Sequence, residues 1–292
     1  MLTPSGEAAS IRCLGGRLRR PAPLNRSTLL TLLLGLATVS CAPARVGPVV
    51  PVAPVRSATL DEVLGAYDEY CSGIQTLSAS GSLEVRDAHS GKSGKLGVRV
   101  VAARGGRLYI KGSVLVVTAL EIVSNGDRFW FQVPSKKTVW TGPNNLPSAA
   151  EGADNAPYYA LRPRDVSNAL LPEPLKPDPD DVLLLEADAQ GFSLLLGRSN
   201  AGRGRVARRV WLDRDTLKPL RLREYDERGE ASSDVTLGLW QEGTPHQVVV
   251  SRPREGYLAT MSFDKVETNV SVPERAFVPR TPENYKIEEV RD

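Results

Sequence analysis

Between Arg107 and Gly142 the chain reads RLYIKGSVLVVTALEIVSNGDRFWFQVPSKKTVWTG, three apolar runs separated by two turn signals. The turns are Ser124-Asn125-Gly126-Asp127 and Pro134-Ser135-Lys136-Lys137. Asn-Gly between such runs signals a hairpin, because the two-residue turn that matches strand twist needs positive φ at both central positions. After it, Phe129, Phe131 and Val133 point to one side and Arg128, Trp130 and Gln132 to the other, since side chains alternate along a strand. Leu120 and Ile122 share one face of the strand before it. The stretch therefore predicts an antiparallel meander with one strongly apolar face. Ser113-Val114-Leu115-Val116-Val117, entered through Gly112, breaks the pattern with no alternation at all. It reads either as a buried strand start or as an apolar loop.

The N-terminus reads as a targeting segment and is set apart from the fold. Arg12, Arg17, Arg19, Arg20 and Arg26 precede Thr28 to Ser40, a 13-residue run without a charge. A membrane span needs about 20 apolar residues, so this length fits a secretory leader. The run ends in Thr38-Val39-Ser40-Cys41, which resembles a bacterial lipobox with Thr38 where the pattern prefers Leu. The expectation is a lipoprotein signal peptide over 1–40 and a covalent lipid on Cys41. The competing reading is an ordinary signal peptide followed by a chance cysteine. Without residues 1–40, which hold five of the 37 basic and one of the 34 acidic residues, the chain carries 32 basic and 33 acidic side chains. That balance offers no basic surface for nucleic acid. Of the three cysteines, Cys13 leaves with the leader and Cys41 takes the lipid, so Cys71 has no disulfide partner.

Residues 41–56 are rich in Pro, Val and Ala and read as an extended tether, spanning up to ~45 Å at about 3.1 Å per residue. The remaining 57–292 reads as one domain. Ser57 to Ile74 predicts a helix. Thr59 and Glu62 form a capping box, and Leu60, Val63, Leu64, Tyr67, Cys71 and Ile74 recur on one face. Gly73 suits the stop. Cys71 then reads as a small buried hydrophobe. From Leu77 onward the pattern is β. A first half runs through the meander, then an irregular stretch over 144–163, a short helix from Pro163 to Leu170 and a Pro-rich connector over 172–181. The second half predicts strands at Val182–Ala187, Phe192–Arg198, Arg205–Leu212, Pro219–Tyr225, Ala231–Gln241, His246–Ser251 and Tyr257–Thr268. The apolar runs Val182–Leu185 and Leu194–Leu196 predict cover on both faces there. Val272 to Asp292 reads mostly as loop. The sum is about thirteen antiparallel strands with one or two helices.

Chemistry-bearing patterns are scarce. His89 and His246 lie in a turn and at a strand start, with no cluster of carboxylates or cysteines at ligand spacing. Gly91-Lys92-Ser93 lacks the Gly that a phosphate-binding loop places five residues earlier, where Arg86 stands. Asp178-Pro179-Asp180-Asp181 reads as a solvated turn rather than a calcium loop. No Gly-x-Ser-x-Gly elbow occurs. The expectation is a protein that is not an enzyme and uses no metal or cofactor beyond the lipid on Cys41.

The leader ending at Cys41, the capped segment TLDEVLGAYDEYCSGIQTLSASGSLEV and the meander NGDRFWFQVPSKKTVWTG together resemble the LolA/LolB-like lipoprotein localisation superfamily. The later stretches VWLDRDTLKPLRLREYDERGE and FDKVETNVSVPERAFVP resemble it too, so the similarity runs over 57–280. The resemblance implies a single curved antiparallel sheet forming an incomplete barrel, with a helix packed on its open side over an apolar cavity. Leu108, Ile110, Leu120, Ile122, Phe129, Phe131, Val133, Leu220 and Leu222 would line that cavity. Members bind acyl chains of lipoproteins or other lipids, and the membrane-anchored type passes its cargo on through a protruding apolar loop. Val114, Leu115, Val116 and Val117 stand where that loop would fall. The implied role is an outer-membrane lipoprotein facing the periplasm. It would bind lipid or lipoprotein acyl chains and help deliver them to the outer membrane, with a periplasmic carrier protein as a partner. The alternative is a non-catalytic structural or regulatory envelope lipoprotein with the same fold.

Overall fold

A computed structural model describes residues 56–147, 160–200 and 203–291. The leader, Cys41 and the tether up to residue 55 lie outside the described residues.

The first element is helix α1 (Leu60–Gly73). Its capping box forms in full: the Thr59 amide donates to Glu62 Oε2 at 2.7 Å, and the Glu62 amide donates to Thr59 Oγ1 at 3.3 Å. These bonds satisfy N–H groups that have no partner within the helix. Val63, Tyr67 and Cys71, four residues apart, are buried on one face. The other end is closed by tertiary contacts instead of a left-handed glycine. Asn269 Nδ2 donates to the Gly73 carbonyl at 2.8 Å, and Arg104 Nε donates to the Ile74 carbonyl at 2.9 Å.

A meander follows: β1 (Thr76–Asp87), β2 (Ser93–Ala103), β3 (Arg107–Val114), β4 (Val117–Asn125), β5 (Arg128–Val133) and β6 (Thr138–Pro143). Helix α2 (Pro163–Leu170) starts on Pro163 and leads to a second meander. This comprises β7 (Val182–Ala187), β8 (Gly191–Asn200), β9 (Arg203–Asp213), β10 (Pro219–Tyr225), β11 (Ala231–Gln241), β12 (Thr244–Arg252) and β13 (Tyr257–Thr268). Strand β14 (Lys286–Glu289) is the last element. All fourteen strands form one sheet in the order β14-β6-β5-β4-β3-β2-β1-β13-β12-β11-β10-β9-β8-β7. The fold is mainly β, a large curved sheet that stays open, because β14 and β7 do not meet. The two meanders are joined where β1 pairs with β13, Leu77 opposite Thr268 through Asp87 opposite Tyr257.

One face of the sheet is apolar and carries both helices. Phe129, Phe131 and Val133 of β5 and Tyr257, Ala259, Met261 and Phe263 of β13 are buried at every second position. They share one core with Tyr67 of α1, Val166 and Leu170 of α2, and Leu161, Leu171 and Leu175 beside it. An ionic network anchors α2. Asp165 Oδ2 accepts from Arg252 Nη1 at 2.9 Å and from the Tyr257 hydroxyl at 3.2 Å, while Glu255 accepts from Arg252 and Arg162. Burial raises the Asp165 carboxyl above the usual range, against the pull of Arg252.

Three expectations are corrected. The tail does not remain loop: Lys286–Glu289 adds β14 parallel to β6, so the sheet is not wholly antiparallel. Its four residues carry three charges; backbone pairing with β6 places them, and Arg128 donates to Glu289 at 2.7 Å beside it. Val182 and Leu184 are 54% and 56% exposed, so the outer face of β7, an edge strand, is uncovered. At the Asn125-Gly126 turn only Gly126 has positive φ, at 107°. Asn125 instead keeps a negative φ and accepts the Asp127 and Arg128 amides on its side-chain oxygen, an Asx turn. Both helices that the sequence offered are present, over Leu60–Gly73 and Pro163–Leu170.

Candidate functional site

The segment that broke alternation forms the tip of the β3–β4 hairpin. Val114 pairs with Val117 across a two-residue turn, Leu115-Val116. Leu115 takes φ 55°, in the left-handed region that non-glycine residues seldom adopt. Its side chain is 95% exposed and that of Val116 is 96% exposed; Val114 and Val117 are exposed beside them. Of the two readings left open by the sequence, the apolar loop is the one the structure contains. Below the tip the hairpin enters the core. Register shifts between Gly112 and Ser113, leaving Ala119 without an opposite residue, and a Cβ on Gly112 would press against the Leu96 and Leu120 side chains at 3.0 Å. The bulge lets the tip leave the sheet while Gly112 keeps its base tightly packed.

Leu108, Ile110, Leu120, Ile122, Phe129, Phe131, Val133 and Leu222 all fall on the apolar face, as one contiguous set with α1. Each is at most 7% exposed and the two phenylalanines are wholly enclosed. The side chains pack in one core with the helices, and Leu222 also lines a small pocket with Asp165, Glu173 and Arg208. Leu220 departs from the set. Register slips between Pro219 and Arg221, so Leu220 is the extra residue of a bulge, and it turns to the other face with 36% exposure. Strict alternation with Leu222 cannot see that slip.

The histidines do not meet. His89 touches Gly256 just before β13 begins, and His246 Nδ1 lies 3.0 Å from the Phe263 carbonyl further along β13. Those anchor points are seven residues apart on one strand, about 23 Å. Among the described residues no group of three or more His, Cys, Asp or Glu side chains is placed to hold a metal. Cys71 is fully buried in the α1 face, and burial pushes its thiol up to about 11, which keeps it protonated.

Sequence reading missed a second concavity. An open cleft of about 620 Å³ lies between the C-terminal end of α1, the 173–176 connector and strands β8 to β11. Its charged residues are mostly cationic, and its lining is scattered over eight segments, so no local motif announces it. Among the described residues no helix is long and apolar enough to cross a membrane.

No family model matches the chain, and no curated protein does. Solved structures are similar to it. A DUF1329 family protein from Desulfovibrio piger has 16% identity and a TM-score of 0.49, covering 76% of this chain and 98% of its own. A domain from Vibrio parahaemolyticus described as outer membrane lipoprotein-sorting has 14% identity and a TM-score of 0.46, covering 75% of this chain and 97% of its own. A LolA superfamily protein from Nitrosomonas europaea has 10% identity and a TM-score of 0.49, covering 76% of this chain and 99% of its own.

Proposed function

We propose that this chain is a non-catalytic envelope lipoprotein that docks on a lipid surface through the β3–β4 tip and hands lipid or lipoprotein acyl chains to the outer membrane. The observation that carries the reading is the tip itself. Two large aliphatic side chains project almost fully into solvent from a turn where Gly or Asn would fit the backbone better. Exposed apolar groups arranged this way are stabilised only when something apolar covers them. Each methylene-sized group entering lipid contributes about 0.8 kcal/mol. Four such side chains suffice to hold a domain that is already tethered. Anchoring belongs to Cys41, through a diacylglycerol, with residues 42–56 as the tether, and a periplasmic carrier protein is the partner that would supply the cargo. Ala42, in place of the Asp associated with inner-membrane retention, favours the outer membrane.

The packed interior favours a second reading. Because Phe129 and Phe131 border no open space, acyl chains must enter by parting α1 or α2 from the sheet. A protein that never opens there would be a structural or regulatory lipoprotein. Leu115→Glu separates the two. It should leave the melting temperature unchanged and cargo binding near normal, while reducing transfer of a fluorescent acylated cargo to liposomes. Unchanged transfer would remove the role given to the tip. In cells, Cys41→Ala should abolish palmitate labelling and membrane association; a wild-type protein found soluble and unlabelled contradicts the anchor.

A further inference from the structure

The polar cleft holds more positive charge than its own carboxylates offset. Six cationic side chains line it: Arg104, Arg164, Lys176, Arg198, Arg205 and Arg208. Two carboxylates, Glu173 and Glu224, share the lining, and Asp181 reaches Arg198 at 3.6 Å from outside it. Arg208 Nη2 donates to Glu224 at 2.8 Å. Arg104 and Arg205 donate only to main-chain carbonyls, of Cys71, Ile74, Leu171 and Pro172 for the first and of Asp226 for the second. Carbonyls satisfy hydrogen bonds and leave the charge in place. The Arg164 guanidinium, exposed on α2, has no hydrogen-bond partner among the described residues.

The backbone is bent to collect these groups. Arg205 and Arg208, three apart on β9, would point to opposite faces of a regular strand. Leu196 pairs with Arg208 but Gly197 with Val206, so Ala207 is an extra residue and both arginines turn into the cleft. Across the cleft, Glu224 pairs with Ser233 but Tyr225 with Ala231. Ser232 is the extra residue there, and its hydroxyl donates to the Glu224 carbonyl at 3.2 Å. Two bulges, on the strands that flank β10 from either side, thus aim side chains at one space. Bulges are devices for such re-aiming and cost ladder hydrogen bonds.

From this convergence we infer that the cleft is a binding site for a phosphate-class anion, either free or as the headgroup of an anionic lipid. Guanidinium groups approaching from α2, from β9 and from the β2–β3 turn suit the several oxygens of a tetrahedral phosphate better than a planar carboxylate. The 620 Å³ volume has room for more than an ion. The inference does not depend on the hairpin tip: Leu115→Glu should leave anion binding unchanged.

The test is calorimetric titration of the full chain in neutral detergent with pyrophosphate, with dihexanoylphosphatidylglycerol and with dihexanoylglycerol, the same lipid without its phosphate. Saturable binding of pyrophosphate with none of the phospholipid assigns a free phosphate. Binding of the phospholipid that pyrophosphate displaces assigns a headgroup. Either supports the site. Arg164→Ala/Lys176→Ala replaces two exposed side chains and should weaken binding about tenfold or more at an unchanged melting temperature. Arg205→Ala, on a separate element, should do the same. Arg254→Ala, a cation outside the cleft, should have no effect. The proposal is overturned by the absence of saturable binding to either phosphate compound. It also fails if dihexanoylglycerol binds as well as the phospholipid, or if Arg254→Ala weakens binding as much as the cleft variants.

Discussion

At the scale of single residues, the outer face of the second meander shows how charge is settled where no ligand is needed. Asp234 on β11 accepts from Arg221 Nε at 2.7 Å and Arg223 Nε at 2.9 Å, with a second bond from each guanidinium. Trp211 lies beneath, its ring 5.1 Å from Arg221 and 5.6 Å from Arg223, a cation–π arrangement that holds both forks flat. Burial alone would raise the Asp234 carboxyl; the hydrogen bonds and charges of Arg221 and Arg223 outweigh it and hold the group below its ordinary value of 3.8. A carboxylate lowered in the folded state stabilises the fold above the unfolded pKa, and that contribution is lost as pH falls through the folded value. Asp234→Asn should therefore cost about 1 kcal/mol at pH 7, discounted because Arg221 stays partly in water. The gap between variant and wild type should close below pH 3.8. Urea melts across that range check it; a difference that stays constant with pH means the loss is steric and not ionic. Two of the cleft arginines, Arg104 and Arg205, differ from this pair in having carbonyls, not carboxylates, as partners.

At the scale of elements, the strongest sequence signals were periodic and capped, and these carried through. Thr59 and Glu62 marked the start of α1, and Pro219–Tyr225, Ala231–Gln241 and Tyr257–Thr268 form strands with the boundaries their alternation implies. What escaped was everything set by non-local geometry. The bulges at Leu220, Ala207 and Ser232 arise from fitting long strands into one curved sheet, and nothing in the local residue pattern marks which position slips. For the same reason the cationic cleft was illegible, whereas the apolar tip was visible as four consecutive aliphatic residues. Strand β14 escaped because it has no alternating apolar face and depends on the free edge of β6. The meander itself makes a quantitative claim. Phe129 on β5 has no exposed surface and belongs to the core shared with α1. Phe129→Ala should cost about 3–5 kcal/mol, the range for emptying a packed aromatic site. A much smaller loss in a urea melt would mean that the site borders open space in solution and that acyl chains have a ready entrance there.

At the scale of the whole molecule, two meanders are fused into one sheet by a single seam, and the seam decides whether they unfold as one body. Lys265 faces Ser80 and Phe263 faces Gly81, so Asp264 is an extra residue on β13. A Cβ on Gly81 would sit inside the contact distance of the Ser262 carbonyl oxygen and close to the Phe263 Cα, both main-chain atoms that cannot swing aside. Gly81 has no side chain because the backbone of β13 fills that space. The core runs without interruption across this seam, from Leu83 and Val85 on β1 to Met261 and Ala259 opposite them. Both halves should therefore lose structure in one transition. Trp130 and Trp140 report on the first meander and Trp211 and Trp240 on the second, so variants retaining only one pair separate the signals. Their midpoints should coincide in the parent chain. Gly81→Ala should lower both midpoints together, with a stability loss of about 1–3 kcal/mol, the cost of overpacking against a fixed backbone. If only one midpoint moves, or the two differ before the substitution, the seam is a boundary between independent units. Opening the apolar face to a lipid chain would then require separating those units and not lifting a helix.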